Sequence, residues 1–401
     1  MGLNDIPSSQ RPHISFFGKV NAGKSSVVNA VTGQNLSIVS EKLGTTTDPV
    51  SKAMEILPLG PVVIIDTPGF DDDSELGVQR IERTRQVLKK TDIAVLVVDS
   101  SLDDAFDSCS MELISLFKEH EIPYIIAYNK SDIKGSASLP SDNCISVSAL
   151  TGQGIYELKE KLASFAKKAE IKNFIVKDLI KNDDLVVLVI PIDESAPKGR
   201  IILPQQNVLR EVLDANATAL CVQDTEYASL LASLKRKPAL VITDSQAFKQ
   251  VSADTPDDVI LTSFSILMAR YKGFLESALK GIASIKNLKN GSTVLISEGC
   301  THHRQCNDIG TVKLPRLLKE FTKKDLNIKT TSGNDFPSDL TGIDLIIHCG
   351  ACMLNSKEMQ SRTKLAIAQN VPITNYGTII AYFNGILEKS LDILPEYKSM
   401  I

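Results

Sequence analysis

Short runs of aliphatic and β-branched residues alternate along the chain with stretches of helical periodicity, an order that predicts parallel α/β architecture. In the first part, the runs Ile14 to Phe17, Val62 to Asp66, Ile93 to Asp99, Tyr124 to Asn129 and Cys144 to Ser148 read as strands. The segment after them places Ile155, Leu158, Leu162 and Phe165 on one face opposite lysines, the pattern of a closing amphipathic helix. A charged, mixed stretch from Lys167 to Lys181 then reads as a linker.

The pattern restarts twice. The second set runs through strand Leu185 to Ile190, a helix from Pro204 to about Ala217, strand Ala219 to Gln223, helix Glu226 to Lys235, and strands Ala239 to Thr243 and Val259 to Thr262. It has no Gly-rich loop, no His and one Cys, which argues against chemistry there. The third set opens with a helix from Leu275 that ends around Asn290-Gly291, a helix-stop signal. Strand Thr293 to Ser297, helix Lys313 to Phe321, strand Leu345 to His348 and helix Lys357 to Ala368 follow. The fold expected is an α/β domain with a mostly parallel sheet, followed by two smaller α/β domains, with boundaries at 1–170, 171–272 and 273–401. A length of 401 residues suits two or three globular units.

Charge narrows the partners. Lys and Arg number 44 against 48 Asp and Glu, so the chain carries no polycationic footprint for nucleic acid or an anionic membrane. No apolar run approaches the length of a membrane span, and the first 13 residues hold neither a signal-like apolar stretch nor, with Ile6, a myristoylation motif. The expected address is the cytoplasm. Seven cysteines, an odd number in a chain too long to need staples, argue against disulfides. Cys109, Cys144 and Cys221 are scattered, whereas Cys300, Cys306, Cys349 and Cys352 gather in the last third with His302, His303 and His348.

Gly18 to Ser25, G-K-V-N-A-G-K-S, fits the phosphate-binding loop G-x-x-x-x-G-K-[ST] between a strand and a helix. Asn21, Ala22, Gly23, Lys24, Ser25 and Ser26 would wrap the phosphates; Lys24 reaches the β- and γ-phosphates and Ser25 ligates Mg²⁺. Asp66-Thr67-Pro68-Gly69 ends the next strong strand, where Asp66 can hold Mg²⁺ through water and the Gly69 amide can sense the γ-phosphate. Asn129-Lys130-Ser131-Asp132 ends a later one; the Asp132 carboxylate accepts from guanine N1–H and N2–H₂, donors that adenine lacks. Ser148-Ala149-Leu150 stands where a backbone amide would meet guanine O6. Four elements in this order, each at a strand's carboxyl end, select GTP over ATP.

Together with Gly44-Thr45-Thr46-Thr47-Asp48, the block resembles the TrmE-Era branch of translation-factor-like GTPases. The resemblance implies Thr46 as the switch ligand of Mg²⁺, Asn21 as the mark of K⁺-stimulated hydrolysis, and activation by dimerisation. Phe70 occupies the place of a water-positioning Gln, so unaided turnover should be slow. Catalysis would rest on Lys24, Thr46 and Asn21. Asp71 to Asp73 reads as a solvated loop.

In the last third, Cys300-Thr301-His302 and His348-Cys349-Gly350-Ala351-Cys352 each follow a strand, and loops at the carboxyl ends of strands converge at a switch point of an open α/β sheet. Three readings fit: small buried residues with an incidental or redox-active C-x-x-C, a structural zinc of three Cys and one His, or an iron–sulfur cluster on three thiolates with one iron open or capped by His302, His348, Glu298 or Cys306. Spacing alone leaves zinc and iron open.

The combination of this Cys-x-His and His-Cys-x-x-Cys set with a TrmE-Era-like domain closely resembles the HydF family of [FeFe]-hydrogenase maturation GTPases, over essentially the full chain. The resemblance implies a GTP-binding domain at 1–170, a dimerisation domain at 171–272 and a cluster domain at 273–401. It also implies a [4Fe-4S] cluster on Cys300, Cys349 and Cys352, with His302 or His348 as candidates at the exchangeable fourth iron. It further implies a homodimer or tetramer that carries a diiron precursor from radical-SAM maturases to apo-hydrogenase; with the full switch apparatus on one domain and the metal site on another, the nucleotide state is expected to change contacts with those partners. An RNA- or ribosome-associated assembly GTPase with a zinc tail is the alternative; the acidic balance and the lack of a basic-aromatic surface signature stand against it.

Overall fold

The computed structural model describes residues 7–33, 50–69, 84–102, 107–134, 139–169, 174–192, 201–299, 308–333 and 335–401. They form two compact units divided between Ile171 and Lys172. The first holds a sheet of six strands, β1 (His13–Phe17), β2 (Val50–Ile56), β3 (Gly60–Asp66), β4 (Ile93–Asp99), β5 (Tyr124–Asn129) and β6 (Cys144–Ser146), in the order β2-β3-β1-β4-β5-β6. All pairs are parallel except β2 with β3. Ile14 stands beside Ile64 and Ile93.

Alternation along these strands sends side chains to both faces. Ile14, Phe16, Ile64 and Val95 join Val27 and Val28 of helix α1 (Lys24–Thr32) and Leu158 and Leu162 of a later helix in one core. Phe17, Val63, Ile65 and Leu96 join Leu113 and Phe117 of α2 (Ser108–Glu119) in another. The later helix, α3 (Ile155–Ala169), is the closing helix expected from its apolar stripe.

The second unit holds two all-parallel sheets of four strands. One contains β7 (Leu185–Val189), β8 (Thr218–Val222), β9 (Leu240–Thr243) and β10 (Ile260–Ser263) in the order β10-β9-β7-β8. The other contains β11 (Thr293–Glu298), β12 (Asn327–Ser332), β13 (Leu345–His348) and β14 (Ile373–Asn375) in the order β12-β11-β13-β14. Around them lie α4 (Leu203–Asp214), α5 (Phe264–Tyr271), α6 (Leu275–Ala283), α7 (Leu314–Thr322), α8 (Ser356–Ala368), α9 (Tyr376–Phe383) and α10 (Leu387–Ser390). One hydrophobic core runs from Val187, Val189 and Val241 of the middle sheet through Leu275 and Leu279 to Val294, Ile296 and Ile346 of the last. Helix α10 lies against β10.

Three strands escape the hydrophobic pattern. β2 buries Met54 and Ile56 but exposes Lys52 and Glu55, β12 is a polar edge strand, and β14 has only three residues. The helix expected from Leu275 to about Asn290 ends at Ala283 and tightens into a 3₁₀ turn, Ser284–Asn287. Among the described residues no helix is long and apolar enough to cross a membrane.

Helix α6 sits on β14 at Gly281, where a Cβ would fall 2.2 Å from the Ile373 carbonyl oxygen. That acceptor is backbone and cannot swing aside. Gly281→Ala should therefore lower stability by about 1–3 kcal/mol, as overpacking does, a loss read as a lower urea midpoint for the second unit at unchanged slope.

Candidate functional site

The phosphate loop is shaped by its backbone. Gly23 caps α1 with φ +85°, and a Cβ there would meet Asn129 Nδ2 at 2.3 Å, so only glycine fits. Asn21 is exposed and also left-handed, with φ +64°. Lys24 is buried, and its Nζ donates to the Lys19 carbonyl at 2.7 Å. Lys19 in turn pairs with Asp107, the residue that caps α2. Ser26 is exposed on the outer side of α1.

Ser25 Oγ donates to Asp66 Oδ2 at 2.7 Å. Asp66 Oδ1 is buried without a hydrogen-bond partner among the described residues. Burial pushes this carboxyl up from its ordinary range, against the Ser25 hydrogen bond and the Lys24 charge that pull it down. Two hard oxygens beside the phosphate loop, one of them orphaned, make a donor set suited to Mg²⁺. Gly69 abuts Val20 of the phosphate loop.

Asn129 ties the two halves of the site together. Its Nδ2 donates to the Ala22 carbonyl at 3.0 Å and its Oδ1 accepts from the Ala149 amide at 3.1 Å. Lys130, left-handed at φ +65°, is paired with Asp99. Burial alone would raise the Asp99 carboxyl; hydrogen bonds from Lys130 and Ser101 outweigh it and hold the group below its ordinary value. Ser148 is buried and donates to Asp132 Oδ1 at 2.5 Å. Asp132 is exposed. The structure thus brings Ala22, Gly23, Lys24, Ser25, Asp66, Asn129, Lys130, Asp132, Ser148 and Ala149 to one end of the sheet; Thr46, Phe70 and Asp71 to Asp73 lie outside the described residues.

The cysteine loop lies at a switch point, because the chain leaves β11 for β12 on one side and then returns to β13 on the other. Ser297 of β11 stands beside His348 of β13, and the Cys349 amide donates to the Ser297 carbonyl at 2.8 Å. Cys349 Sγ accepts from the Gly299 amide at 3.0 Å and from the Ala351 amide at 3.4 Å, the latter aimed by a left-handed Ala351 at φ +53°. Amide donors favour a sulfur that carries negative charge. Cys352 is partly exposed three residues on. Among the described residues no three His, Cys, Asp or Glu side chains form a metal-sized group; Cys300, His302 and Cys306 lie outside the described residues.

His348 is buried and engaged through both nitrogens: Nδ1 lies 2.9 Å from the Cys349 carbonyl and Nε2 lies 3.1 Å from Arg362 Nη1. Because Arg362 can only donate, Nε2 accepts and Nδ1 carries the proton. Burial, with the Arg362 charge added, pushes this imidazole down to about 3. Arg362 also donates to Glu358 and to the Gly333 carbonyl, both at 2.7 Å, and lies over the Phe336 ring. Glu298 is buried at the end of β11, and the Tyr376 hydroxyl donates to it at 3.3 Å. Burial, with Cys349 and Glu298 nearby, pushes that phenol well up.

Three family models match the chain. The 50S ribosome-binding GTPase model matches residues 13–130, the hydrogen maturase F dimerization domain residues 175–273, and the hydrogen maturase F tetramerization domain residues 276–393. The last two together take in more than half of the chain. The chain belongs to the hydrogen maturase F family.

Two curated relatives, both GTPases, each match 40% of the chain. The tRNA modification GTPase MnmE of Endomicrobium trichonymphae is 34% identical over 167 residues, 40% of this chain and 36% of that protein. GTPase Der of Wolinella succinogenes is 34% identical over 176 residues, again 40% and 36%. The chain spans little more than a third of the length of these relatives. Along the chain a GTPase domain is followed by the dimerization and tetramerization domains of the hydrogen maturase F family.

Sequence reasoning missed Lys272, Arg362 and Tyr376 around the maturase cysteine loop. Lys272 is 3% exposed and donates to the carbonyls of Ala351 and Leu354. Burial lowers its ammonium to about 8, against the pull of the Cys352 and Cys349 thiols. The one available signal was its place, with Gly273, between two strongly apolar stretches.

Two outcomes follow from this geometry. Asn129→Ala orphans the Ala22 carbonyl and the Ala149 amide, at about 1–3 kcal/mol for each buried group. GDP and GTP affinity should both fall at least about tenfold in titration calorimetry, since neither bond involves the γ-phosphate. His348 is neutral in the fold and titrates near its ordinary value when unfolded, so its contribution is full above pH 6.5 and fades as pH falls toward about 3. His348→Gln keeps a donor and an acceptor, and its thermal midpoint should be less sensitive to acid across that window than the wild type's.

Proposed function

We propose that this chain is a GTP-hydrolysing scaffold that holds a [4Fe-4S] cluster and carries the diiron precursor of the [FeFe]-hydrogenase active site to apo-hydrogenase. The observation that carries the reading is Cys349, whose sulfur takes two amide hydrogen bonds at a switch point of the last sheet. Amide-to-sulfur bonds and a nearby buried ammonium suit a thiolate bound to iron. Cys300, Cys349 and Cys352 would hold the cluster, and His302 is the better fourth-ligand candidate because His348 has both nitrogens engaged. When bound, the cluster supplies an iron whose fourth coordination position is exchangeable, which suits docking of a second metal unit as cargo.

On the GTPase side, Ser25 and Thr46 would ligate Mg²⁺ with Asp66 behind them, Lys24 would stabilise the β- and γ-phosphates, and Asn21 would place K⁺. The left-handed, exposed Asn21 supports the last assignment, since its side chain is not committed to the core. Residues 1–170 would bind GTP, 171–272 dimerise and 273–401 carry the cluster, in a dimer or tetramer. Nucleotide state would alter contacts with radical-SAM maturases and apo-hydrogenase. GTP and reduced thiols occur together in the cytoplasm, where this chemistry would take place.

Anaerobically purified protein should contain about four irons per chain with matching sulfide; stoichiometric zinc in their place would sink the cluster reading. Cys349→Ser should lose the cluster and fail to activate hydrogenase, while its GTP turnover stays as in the wild type. Asp132→Asn replaces an acceptor of the guanine amide protons with a donor. Its GTP affinity should drop by about a hundredfold or more, with partial recovery for xanthosine triphosphate, whose position 2 is an acceptor.

A further inference from the structure

Lys272 has no part in the nucleotide site and is not a metal ligand, yet it is almost fully enclosed. It is the residue that ends α5, where the chain passes from the middle sheet to the last one. Its Nζ donates to the carbonyl oxygens of Ala351 and, at 2.6 Å, of Leu354. These two residues bracket Cys352. The acidic groups near it are Cys352, Cys349 and Glu358, and Glu358 is already bonded to Arg362.

The two carbonyls take two of the three donors of this ammonium and leave its charge unanswered. A buried charge without a counter-charge is costly, and it stays in place where an anion compensates it. Two thiolates on iron would do so. The same charge weighs on electron transfer: a cluster on three thiolates becomes more negative by one unit when it takes up one electron, and a fixed cation nearby favours that state.

We propose that Lys272 is the positioning residue and counter-charge of the cysteine loop, fixing its conformation through Ala351 and Leu354 and favouring the reduced state of the bound cluster. This rests on the cluster reading above. It also gives α5 of the middle sheet a direct hold on the iron-binding loop, so that a movement of that helix is felt at the cysteines.

The test uses the full chain, purified anaerobically, with Lys272→Met and Lys272→Gln beside the wild type. Iron and sulfide are counted, and the cluster is titrated with dithionite as electron donor while the paramagnetic reduced form is followed. Circular dichroism reports whether the second unit is folded. Both variants should hold less iron than the wild type. The cluster that remains should lose at least tenfold in its preference for the reduced state, ~59 mV toward more negative potential for a one-electron couple. Lys272→Gln keeps a donor for the two carbonyls and lacks the charge, so it isolates the electrostatic part and serves if the Met variant does not fold. Wild-type iron content and an unchanged potential in the folded variants would overturn the proposal. A wild-type protein without an iron–sulfur signal would instead overturn the cluster reading, and the role of Lys272 with it.

Discussion

Parallel strands cannot be joined by tight turns, so apart from β2, which turns straight back into β3, the strands of these sheets are linked by crossovers that return along a face of the sheet. The inner strands are then covered on both sides and have to be apolar nearly throughout, and polar side chains collect where these strands end. β4 is buried along almost its whole length and becomes partly accessible only at Asp99. β11 ends in Ser297 and Glu298, β5 in Asn129, β13 in His348. Both candidate sites sit at such ends, and neither could be assembled without the register that brings neighbouring ends level.

Each site then depends on one buried side chain that bridges loops far apart in sequence. Asn129 joins the Ala22 carbonyl to the Ala149 amide, so the phosphate loop and the base-recognition loop are held at fixed separation before nucleotide arrives. Lys272 does the same for the end of α5 and the cysteine loop. The two solutions differ in cost. A buried amide is satisfied by its hydrogen bonds alone, whereas a buried ammonium also calls for negative charge nearby.

The sequence made the central strands and the nucleotide motifs legible because their signals are local. Leu185 to Val189 is a continuous apolar run, and the phosphate loop is one contiguous octet. β12, written N-I-K-T-T-S, is an edge strand with little burial and therefore little hydrophobic signature; β14 offers three residues, fewer than any periodicity can be read from. Lys272 was illegible for another reason. Its burial is created by Ala351 and Leu354, nearly eighty residues later, and a basic residue after a helix ordinarily reads as a solvated C-terminal charge. His348 was read as a candidate ligand from its neighbour Cys349, while its engagement by Arg362 depends on the packing of α8 over the sheet.

The core shared by the two later sheets has a consequence for the order in which the chain can settle during synthesis. The first unit has both faces of its sheet sealed by residues from its own segment, so it can close as soon as α3 has emerged. The middle sheet has no such independence, because one of its faces belongs to a core completed by residues from Leu275 onward, and α10 lies against its edge strand β10. A nascent chain that has reached β10 therefore still displays an apolar face and an open strand edge, both prone to unwanted pairing. It must keep them from other chains until more than a hundred further residues have been made.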